Sequence, residues 1–408
     1  MRVLILTTWY PNYENPIYGT FVHEQADALR ARGVEIRVVQ PIPLTPFPVT
    51  LLKGSYRRRA RIAAQEVYQG FIVYHPRYLT LPHHLLFECV GEWMYRAIRQ
   101  CMKRIYSEWP FDIIHAHTTY PCGYVANRLR DRDFPGVKVI HTIHATCIVD
   151  APTYNRRCFE RVRSSLQGAD RNVFVSLKGQ RLGLEYTGGN IKRKSEYITN
   201  GVNPEKFQLT ERDRAELKSL KTKYGDTWNI LYVGYVSERK GIKELLSAVQ
   251  GLATGGHRTL RLILVGWNHL GSFIANFTRA HGIEDLVVQV GPVLHERVKI
   301  WMNFADAFIL PSHSEGMPTV LFESLYAGTP AIFTRVGGIE DILEDGREAL
   351  LIPPKSVEAI EQSIVRLMDD PDLCREMGAR GHKLIRDNFT WAMNADRHVR
   401  LYEQVLED

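Results

Sequence analysis

A strand, a loop and a helix follow one another between residues 307 and 330, and this arrangement is typical of an α/β domain. Residues 307–310 form a short apolar run that predicts a buried strand, and residues 318–326 have the apolar spacing of a helix. Because the first amide groups of a helix have no partner within it, a helix start can bind an anion. Two carboxylates flank this helix start, Glu315 before it and Glu323 within it. The pattern alone leaves two interpretations open, a site for a phosphate-bearing ligand and an ordinary strand, loop and helix that bind nothing.

Strands and helices alternate along the rest of the chain as well. Residues 1–8 predict a first strand, the spacing of apolar residues in 21–32 predicts a helix, and residues 34–39 predict a second strand. Such a βαβ opening is typical of a doubly wound parallel sheet. A second series begins at Trp228, after a charged stretch at 210–226 that predicts a connecting helix. Because 408 residues exceed one typical core, we expect two domains.

Charge is unevenly distributed between the two halves of the chain. Residues 1–200 contain 28 Lys and Arg against 16 Asp and Glu, a net charge of +12, whereas the remainder has a net charge of −5. A basic half suits a membrane surface, a phosphorylated acceptor or a nucleic acid, and it is equally compatible with a solvated basic face. The basic segment 51–61 places arginines beside leucines, which suits either docking on an anionic bilayer or an exposed loop. Binding of nucleic acid is disfavoured because aromatic residues are not interleaved with the basic ones.

The amino-terminal residues and the cysteines indicate in which cellular compartment the protein resides. The apolar stretch at residues 1–8 is too short for a signal peptide, and no window approaches the roughly 18 apolar residues of a membrane span. The six cysteines lack the spacing of a metal site and fit free thiols better than a disulfide framework. We therefore expect a cytoplasmic protein, either free or held peripherally on the inner face of the membrane.

Two predicted strands end in histidines. One carries His115 and His117, and the next carries His141 and His144. Ligands of doubly wound sheets bind at the carboxyl ends of strands, so one histidine of each strand could point into such a site. From their alternate positions we expect His115 and His117 to face opposite sides of the sheet. A structural polar role remains the alternative for each histidine, and a metal site is disfavoured because no carboxylate cluster accompanies them.

Two loops contain candidates for phosphate binding. The loop after the predicted strand at 229–233 carries Arg239 and Lys240, and cations beside a helix start suit a diphosphate, although such residues are also common on surfaces. Gly19 lies just before the first predicted helix, where a missing side chain would let a phosphate approach the backbone; a simple turn explains this glycine equally well. In a doubly wound fold both loops follow strand ends that can face one ligand site.

The spacing of the two glutamates resembles the signature of a known enzyme family. Glu315 and Glu323, with seven residues between them and Ala-Gly-Thr-Pro after them, are similar to the paired glutamates of the retaining GT-B glycosyltransferases of family 4 (glycosyl transferases group 1). Three further segments resemble motifs of this family: Asp-Ile-Ile-His-Ala-His at 112–117, Thr-Ile-His-Ala at 142–145 and Asn-Gly-Val-Asn at 200–203. The resemblance touches nearly the whole chain and is weak over residues 41–105.

This resemblance implies a fold and a division of the chain. Members of the family have an α/β GT-B fold, in which two doubly wound Rossmann-like domains face each other across a cleft that contains the active site. The amino-terminal, acceptor-side domain would comprise residues 1–203, together with a carboxy-terminal helix of about 388–408 that returns to it. The domain that binds the nucleotide sugar would comprise residues 204–387.

The resemblance also implies roles for individual residues. Glu315 and His144 would be catalytic and would face the donor sugar. Glu323 would bind the ribose hydroxyls, and the turn that contains Val293 would lie against the nucleobase. The other donor-binding residues would be Gly19, Arg239, Lys240, Gly316, Met317, Pro318 and Thr319.

His117 and Thr118 would lie on the acceptor side, and the resemblance implies no metal ion. The chain departs from the family pattern at Tyr235, which occupies the usual position of an arginine. Either Arg239 supplies the missing charge or the enzyme binds the donor phosphates more weakly.

The implied function is the retaining, metal-independent transfer of a hexose or hexosamine from a nucleotide-diphosphate sugar to a glycan or lipid-linked acceptor, without a cofactor. Assembly of cell-surface polysaccharide or glycolipid is the implied setting, and the identities of sugar, nucleotide and acceptor stay open. Two alternatives remain. One is another GT-B enzyme, a phosphorylase or a nucleotide-sugar epimerase, although no pyridoxal-phosphate lysine site is recognisable. The other is a basic protein without enzymatic activity that binds membranes or nucleic acids.

Overall fold

A computed structural model describes residues 1–45, 54–81 and 84–408. The contacts between Cα atoms divide the chain into two compact units. Unit 1 consists of Met1–Thr199 with Trp391–Asp408, and unit 2 consists of Asn200–Thr390. Each unit is built on a mainly parallel sheet, as the alternation of strands and helices predicts.

Short and mostly apolar segments form the strands. In chain order these are β1 (Arg2–Leu6), β2 (Glu35–Val39), β3 (Ile42–Pro43), β4 (Gln65–Tyr68), β5 (Phe71–Tyr74), β6 (Arg77–Tyr78), β7 (Ile113–His117), β8 (Lys138–Ile143), β9 (Arg171–Phe174), β10 (Ser195–Tyr197), β11 (Trp228–Val233), β12 (Leu260–Val265), β13 (Val287–Gly291), β14 (Ala307–Leu310), β15 (Ala331–Thr334) and β16 (Leu350–Ile352).

Most helices lie between these strands in the chain, and the last three follow the final strand. In chain order these are α1 (Thr20–Arg30), α2 (Gly54–Arg61), α3 (Phe87–Glu108), α4 (Tyr124–Arg132), α5 (Ala145–Val149), α6 (Ala151–Tyr154), α7 (Arg156–Gly168), α8 (Leu177–Tyr186), α9 (Pro204–Phe207), α10 (Glu211–Tyr224), α11 (Ile242–Thr254), α12 (Phe273–His281), α13 (His295–Phe304), α14 (Thr319–Tyr326), α15 (Val357–Asp369), α16 (Pro371–Asn388) and α17 (Trp391–Glu407). No helix within the described residues is long and apolar enough to cross a membrane.

The sheet of unit 1 has the strand order β10-β9-β8-β7-β1-β2-β5-β4. Its edge strand β4 pairs antiparallel with β5, and the other neighbours in this sheet are parallel. Strands β7 and β8 are adjacent, with His117 opposite Thr142. Because both strands run in the same direction, their histidine-bearing carboxyl ends meet at one edge of the sheet.

The carboxy-terminal helix α17 packs within unit 1. Gln25 on α1 donates a hydrogen bond to Asn394 Oδ1 at 2.9 Å, and Arg32 pairs with Asp396 at 2.8 Å. The fully buried Ala395 and Tyr402 belong to a hydrophobic cluster that also contains Val3 of β1. The apolar side chains of α17 therefore pack into the core of unit 1.

The sheet of unit 2 is parallel throughout and has the strand order β13-β12-β11-β14-β15-β16. The central strands β11 and β14 are adjacent, with Ile230 opposite Ala307. Both strands are almost entirely buried, which explains why they read as continuous apolar runs rather than as alternating patterns. The loops that follow β11 and β14 consequently lie side by side, and these loops contain the basic and acidic residues singled out above.

Several elements differ from the prediction. Helix α14 begins at Thr319, and Pro318 is the residue before its first turn, with a ψ of 128° that lies outside the helical range. The charged helix α10, predicted as a connecting helix, lies within unit 2, in agreement with the predicted boundary at residue 204, and Lys299 of α13 binds Asp213 at 2.8 Å. In the basic segment 51–61, residues 54–61 form α2, and residues 51–53 lie outside the described residues.

Candidate active site

The predicted site residues fall into two groups, one in each unit. In unit 2 they surround the start of α14, and in unit 1 they lie at the carboxyl ends of β7 and β8 and before α1. Among the described residues no group of three or more His, Cys, Asp or Glu side chains is arranged to hold a metal ion.

Glu315 lies in the loop between β14 and α14. Its Oε1 accepts a hydrogen bond from Ser312 Oγ at 2.6 Å and contacts Lys240 Nζ. The side chains of Glu315 and Lys240 are 7% and 14% exposed, so this ion pair is largely removed from solvent. Buried charges are stable only when they are paired. The two residues that the family pattern assigns to the sugar and the phosphates are thus in direct contact.

A glycine turn after β15 supports the Glu315 loop. Gly337 has a φ of 66°, and a Cβ atom at this position would lie 2.4 Å from the carbonyl oxygen of Glu315. The amide of Gly338 donates a hydrogen bond to the carbonyl of Gly316 at 2.8 Å. Because only glycine allows this close approach, the turn holds the backbone of the Glu315 loop in place.

Arg239, in the loop that follows the neighbouring strand β11, contacts the backbone of the Glu315 loop. Its guanidinium donates a hydrogen bond to the carbonyl of Ser314 at 3.1 Å, and the amide of His313 donates to the carbonyl of Arg239 at 2.9 Å. Tyr235, at the position where the family has an arginine, is 40% exposed and its ring meets that of His269 edge-on at 5.2 Å. Arg239 therefore supports the loop that carries Glu315, and an aromatic side chain stands at position 235.

The start of α14 has the features of an anion site. Pro318 provides no side-chain cap, so the amides of the first turn, from Thr319 onwards, are not satisfied by a capping side chain. Met317, the residue before Pro318, is 5% exposed, and its carbonyl accepts a hydrogen bond from Asn200 Nδ2 at 2.8 Å. Gly316 is half-buried. This helix start lies four residues after Glu315, whose carboxylate contacts the Lys240 ammonium.

Glu323 lies inside α14 and contacts a histidine that was not among the predicted residues. Its Oε1 is 2.7 Å from Nε2 of His295, and the glutamate itself is 4% exposed. His295 is the first residue of α13 and directly follows the turn that contains the half-buried Val293. This position, next to the turn assigned to the nucleobase, is the sequence signal that identifies His295 as a candidate. The structure thus places Glu323, His295 and Val293 in one neighbourhood.

In unit 1, His117 and His144 form a pair. His117 Nδ1 lies 3.3 Å from His144 Nε2, and the two rings stack with centroids 5.6 Å apart. His117 is 1% exposed and His144 is 9% exposed. Burial lowers the pKa of His144 to about 3, and burial also lowers the pKa of His117 well below its ordinary value. Both imidazoles are therefore neutral near pH 7.

Aromatic rings contact His144, and Gly19 packs against the backbone of one of these aromatic residues, Trp9. The His144 ring meets the ring of Trp9 at 5.5 Å and that of Phe21 at 4.9 Å, both edge-on. Gly19 precedes α1 with a φ of 69°, and a Cβ atom there would lie 2.4 Å from the carbonyl carbon of Trp9. The close approach of its own chain already requires a glycine at this position.

The other two histidines of these strands, His115 and His141, are packed against neighbouring protein groups. His115 stacks on His117 at 4.7 Å, so the prediction that these two face opposite sides is wrong: residues two apart on a strand project from the same face. His115 contacts the hydroxyls of Tyr402 and Thr142, each at 2.7 Å. His141 lies on the opposite face, where its ring would be 2.6 Å from a Cβ atom on Gly123.

Thr118 directly follows His117 and adopts a φ of 85°. A β-branched residue in this region is strained, and such strain is frequent at functional sites. Thr118 is 3% exposed. In this structure neither Thr118 nor His117 offers more than a trace of surface to an acceptor.

Comparison with protein families agrees with these two groups of residues. A model described as Glycosyltransferase Family 4 matches residues 18–206, and a model described as Glycosyl transferases group 1 matches residues 213–384. The chain belongs to glycosyltransferase family 4. The two matches of this family 4 chain together cover most of both units, so the family assignment does not depend on the paired glutamates alone.

Full-length relatives support the same assignment. The family 4 chain is 28% identical over 407 residues to TuaC of Bacillus subtilis (strain 168), whose name gives a provisional assignment as a teichuronic acid biosynthesis glycosyltransferase, and the match spans 100% of this chain and 99% of TuaC. Its fold is similar to that of sucrose-phosphate synthase from Thermosynechococcus elongatus, with a TM-score of 0.77, 20% identity and 100% coverage of both chains. It is also similar to Anabaena HepE in complex with UDP-glucose, with a TM-score of 0.74, 14% identity and coverage of 99% and 100%. The predicted GT-B fold is confirmed, and the protein is a glycosyltransferase.

Proposed function

We propose that this family 4 enzyme is a retaining hexosyl- or hexosaminyltransferase that uses a nucleotide-diphosphate sugar as donor. The observation that carries the proposal is the buried contact between Lys240 and Glu315, in the loop that leads to the uncapped start of α14. A cation and free helix amides suit a diphosphate, and a carboxylate suits the sugar next to it. When the donor binds, Lys240 exchanges its contact with Glu315 for the phosphates, and Glu315 turns to the sugar.

The proposed chemistry follows from the charge that develops in the transition state. As the bond between the sugar and the diphosphate breaks, negative charge grows on the leaving group, and Lys240 and the α14 amides stabilise it. Positive charge grows on the sugar, where Glu315 stabilises it and His144 orients the hydroxyls. Double displacement in retaining glycosidases uses two carboxyl groups, and the proposal assigns one carboxylate, Glu315, to the sugar. We therefore favour front-face transfer, in which the leaving phosphate accepts the acceptor's proton.

The remaining predicted residues complete the donor site in this proposal. Glu323 binds the ribose hydroxyls and is held by His295 at 2.7 Å, while the turn at Val293 lies against the nucleobase. Neither a cofactor nor a metal ion takes part, because cationic side chains and helix amides stabilise the leaving diphosphate. Turnover that is unchanged by excess EDTA supports this part of the proposal, and loss of turnover that Mg²⁺ or Mn²⁺ restores contradicts it.

The proposed acceptor is a glycan or a lipid-linked sugar at the cytoplasmic face of a membrane, in polysaccharide or glycolipid assembly. The assignment in TuaC's name and the basic amino-terminal half support this setting. In α2 the side chains of Arg57, Arg58 and Arg61 are exposed, and Arg77 fixes the helix by donating to the carbonyl of Arg59 at 2.9 Å. Salt-sensitive binding to vesicles containing anionic lipid, weakened by Arg57→Glu with Arg61→Glu, is expected. Equal binding to neutral vesicles contradicts the membrane part.

Thermal denaturation with a panel of nucleotide sugars tests the donor site. A ligand that binds the folded state raises the melting temperature in proportion to the logarithm of its excess over Kd. We expect one sugar nucleotide to stabilise the wild-type enzyme and the Lys243→Ala variant, whose lysine pairs on the surface with Glu238, and to stabilise Lys240→Ala far less. Equal stabilisation of Lys240→Ala contradicts the proposed phosphate contact.

A further inference from the structure

The two rings of the buried histidine pair in unit 1 differ in the hydrogen-bond partners of their nitrogen atoms. His117 Nδ1 and His144 Nε2 share one contact of 3.3 Å. The other ring nitrogen of His117, Nε2, is buried and has no hydrogen-bond partner within the described part of the chain. His144 retains some exposure, whereas His117 is almost completely enclosed. The nitrogen that carries the proton in each ring therefore decides whether His144 presents a hydrogen-bond donor or an acceptor to a ligand.

Two arrangements of protons can form this contact. A neutral imidazole carries one N–H donor and one bare nitrogen acceptor, so one ring must donate and the other accept. If His144 donated from Nε2, the proton of His117 would reside on its own Nε2, as a buried donor without a partner. Leaving a buried donor unsatisfied costs about 1–3 kcal/mol, and orphaned N–H groups are rarer in proteins than under-satisfied acceptors. If His117 donates from Nδ1, its buried Nε2 is only a bare acceptor.

Neighbouring side chains hold the ring of His117 in this orientation. His115 stacks on it with centroids 4.7 Å apart, and His115 is itself fixed by the hydroxyls of Tyr402 and Thr142. His398 of α17 stacks on His115 at 5.5 Å. The four rings form a row that runs from α17 to His144, which we name the histidine row (His398, His115, His117, His144). Within this row His117 is the ring that contacts His144.

We infer that His117 is a positioning residue that donates its Nδ1–H to His144 Nε2 and thereby fixes His144 as the Nδ1–H tautomer. His144 then presents a hydrogen-bond donor, and not an acceptor, on the side away from His117. In the reaction this donor meets a hydroxyl oxygen of the donor sugar, and that last step rests on the proposed function. His117 therefore acts through His144, in place of the contact with the acceptor that its family position implies.

Protonation does not disturb this arrangement in the neutral range. Burial lowers the pKa of both rings, so the pair holds two protons and not three near pH 7. The groups that face the pair are the other histidines of the row and the rings of Trp9 and Phe21, and burial also lowers the pKa of His115 and His398. The tautomer is therefore set by the hydrogen bond and not by a neighbouring charge.

The direct test is the nitrogen NMR spectrum of ¹⁵N-histidine-labelled full-length protein without ligand, with His144 assigned by the loss of its signals in His144→Gln. The wild type is expected to show a protonated Nδ1 and a bare Nε2 for His144. His117→Asn, whose amide can donate from the place of Nδ1, is expected to preserve this tautomer, and His117→Leu is expected to give a mixture. The control His398→Leu removes a buried histidine of the same row that does not contact His144, and it is expected to preserve the wild-type tautomer.

Kinetics supply the second measurement. With the nucleotide sugar found by thermal denaturation, kcat is expected to fall about tenfold in His117→Leu and to recover in His117→Asn, with KM little changed. A proton on His144 Nε2 in the wild type, or an unchanged Nδ1–H tautomer in folded His117→Leu, overturns the inference. Because the tautomer is read without turnover, failure of the proposed function alone, with no sugar transferred from any donor, leaves the tautomer result standing and is recognised separately.

Discussion

Lys240 Nζ contacts Glu315 Oε1 across two adjacent strand ends of unit 2, although the residues are 75 positions apart in the chain. Their side chains are 14% and 7% exposed, and Ser312 adds a hydrogen bond to the same carboxylate oxygen. The two groups neutralise each other before a donor arrives, which keeps both in place without leaving a buried charge unpaired. The phosphate and sugar contacts that we propose are therefore linked through one pair.

This link predicts that substitutions of the two residues are not additive. Lys240→Ala and Glu315→Gln are each expected to lower kcat by about 10²–10³, because each removes stabilisation of charge in the transition state. The double variant is expected to lose little more than the worse single variant, since residues that act as a unit are not additive. Steady-state kinetics with Lys243→Ala as the surface-lysine control decide the matter. Fully additive losses, or wild-type rates in both single variants, contradict this linkage.

A second prediction concerns the contact between Glu323 and His295. His295→Ala is expected to raise KM for the nucleotide sugar about tenfold with little change in kcat, because Glu323 loses a hydrogen bond that orients it toward the ribose. His295→Gln, whose amide can reach the position of Nε2, is expected to restore most of the affinity. His281→Ala serves as the control, since that exposed histidine contacts only its own helix carbonyl, at 2.8 Å, among the hydrogen bonds of the described residues. Equal KM values for His295→Ala and the wild type would remove His295 from the donor site.

Most of the fold could be predicted from the sequence because it depends on short buried strands. Continuous apolar runs such as β11 and β14 have the signature of parallel strands covered on both faces. The hairpin of β4 and β5 was not predicted: it lies at the sheet edge, and β4 has largely exposed residues that carry no apolar pattern. Edge strands depend on pairing with a neighbour, which a single sequence does not display.

The site was predictable only in part. Strand ends and the helix start indicated where Glu315, Lys240 and His144 would lie, since topology brings parallel strand ends together. The partners were not predictable, because contacts such as His295 with Glu323 depend on side-chain packing between elements far apart in sequence. His115 lies on the same face of the sheet as His117, contrary to the prediction, because residues two apart on a strand project from the same face.

The exposed Tyr235 gives a third prediction. It stands at the family's arginine position, and Arg239 is engaged with the carbonyl of Ser314. Tyr235→Arg is expected to tighten binding of the nucleoside diphosphate roughly 3- to 10-fold, or about 1 kcal/mol, by adding a partly exposed cation near the phosphates. Isothermal titration measures this change, and Tyr235→Gln, which adds no charge, is the control. Unchanged or weaker binding would indicate that position 235 does not face the diphosphate.

Acid stability provides a fourth prediction, through Asp213 and Lys299. Burial opposes ionisation of Asp213, but hydrogen bonds from Lys299 and Thr210 outweigh it and lower the pKa of Asp213 to about 2. Since the pKa of this carboxyl is lower in the folded state than in the unfolded state, the pair stabilises unit 2 above about pH 4 and loses this effect as the pH falls towards 2.

Asp213→Asn is therefore expected to lower the free energy of unfolding by about 1–2 kcal/mol at pH 7 and to weaken its dependence on pH between about 4 and 2. Chemical denaturation at a series of pH values measures both effects. The control Asp372→Asn removes a carboxylate that is 77% exposed, and it is expected to change neither quantity. An unaltered acid profile in Asp213→Asn would show that another carboxylate dominates it.

Retention of configuration at the anomeric carbon is the central claim of the proposed mechanism. The most direct measurement is the proton NMR spectrum of the glycoside that forms when the enzyme transfers the sugar of the stabilising nucleotide sugar to an acceptor. We predict that the anomeric proton of the transferred sugar keeps the configuration of the donor, and that Glu315→Gln forms this product far more slowly. A product of inverted configuration would contradict front-face transfer and the role that we assign to Glu315.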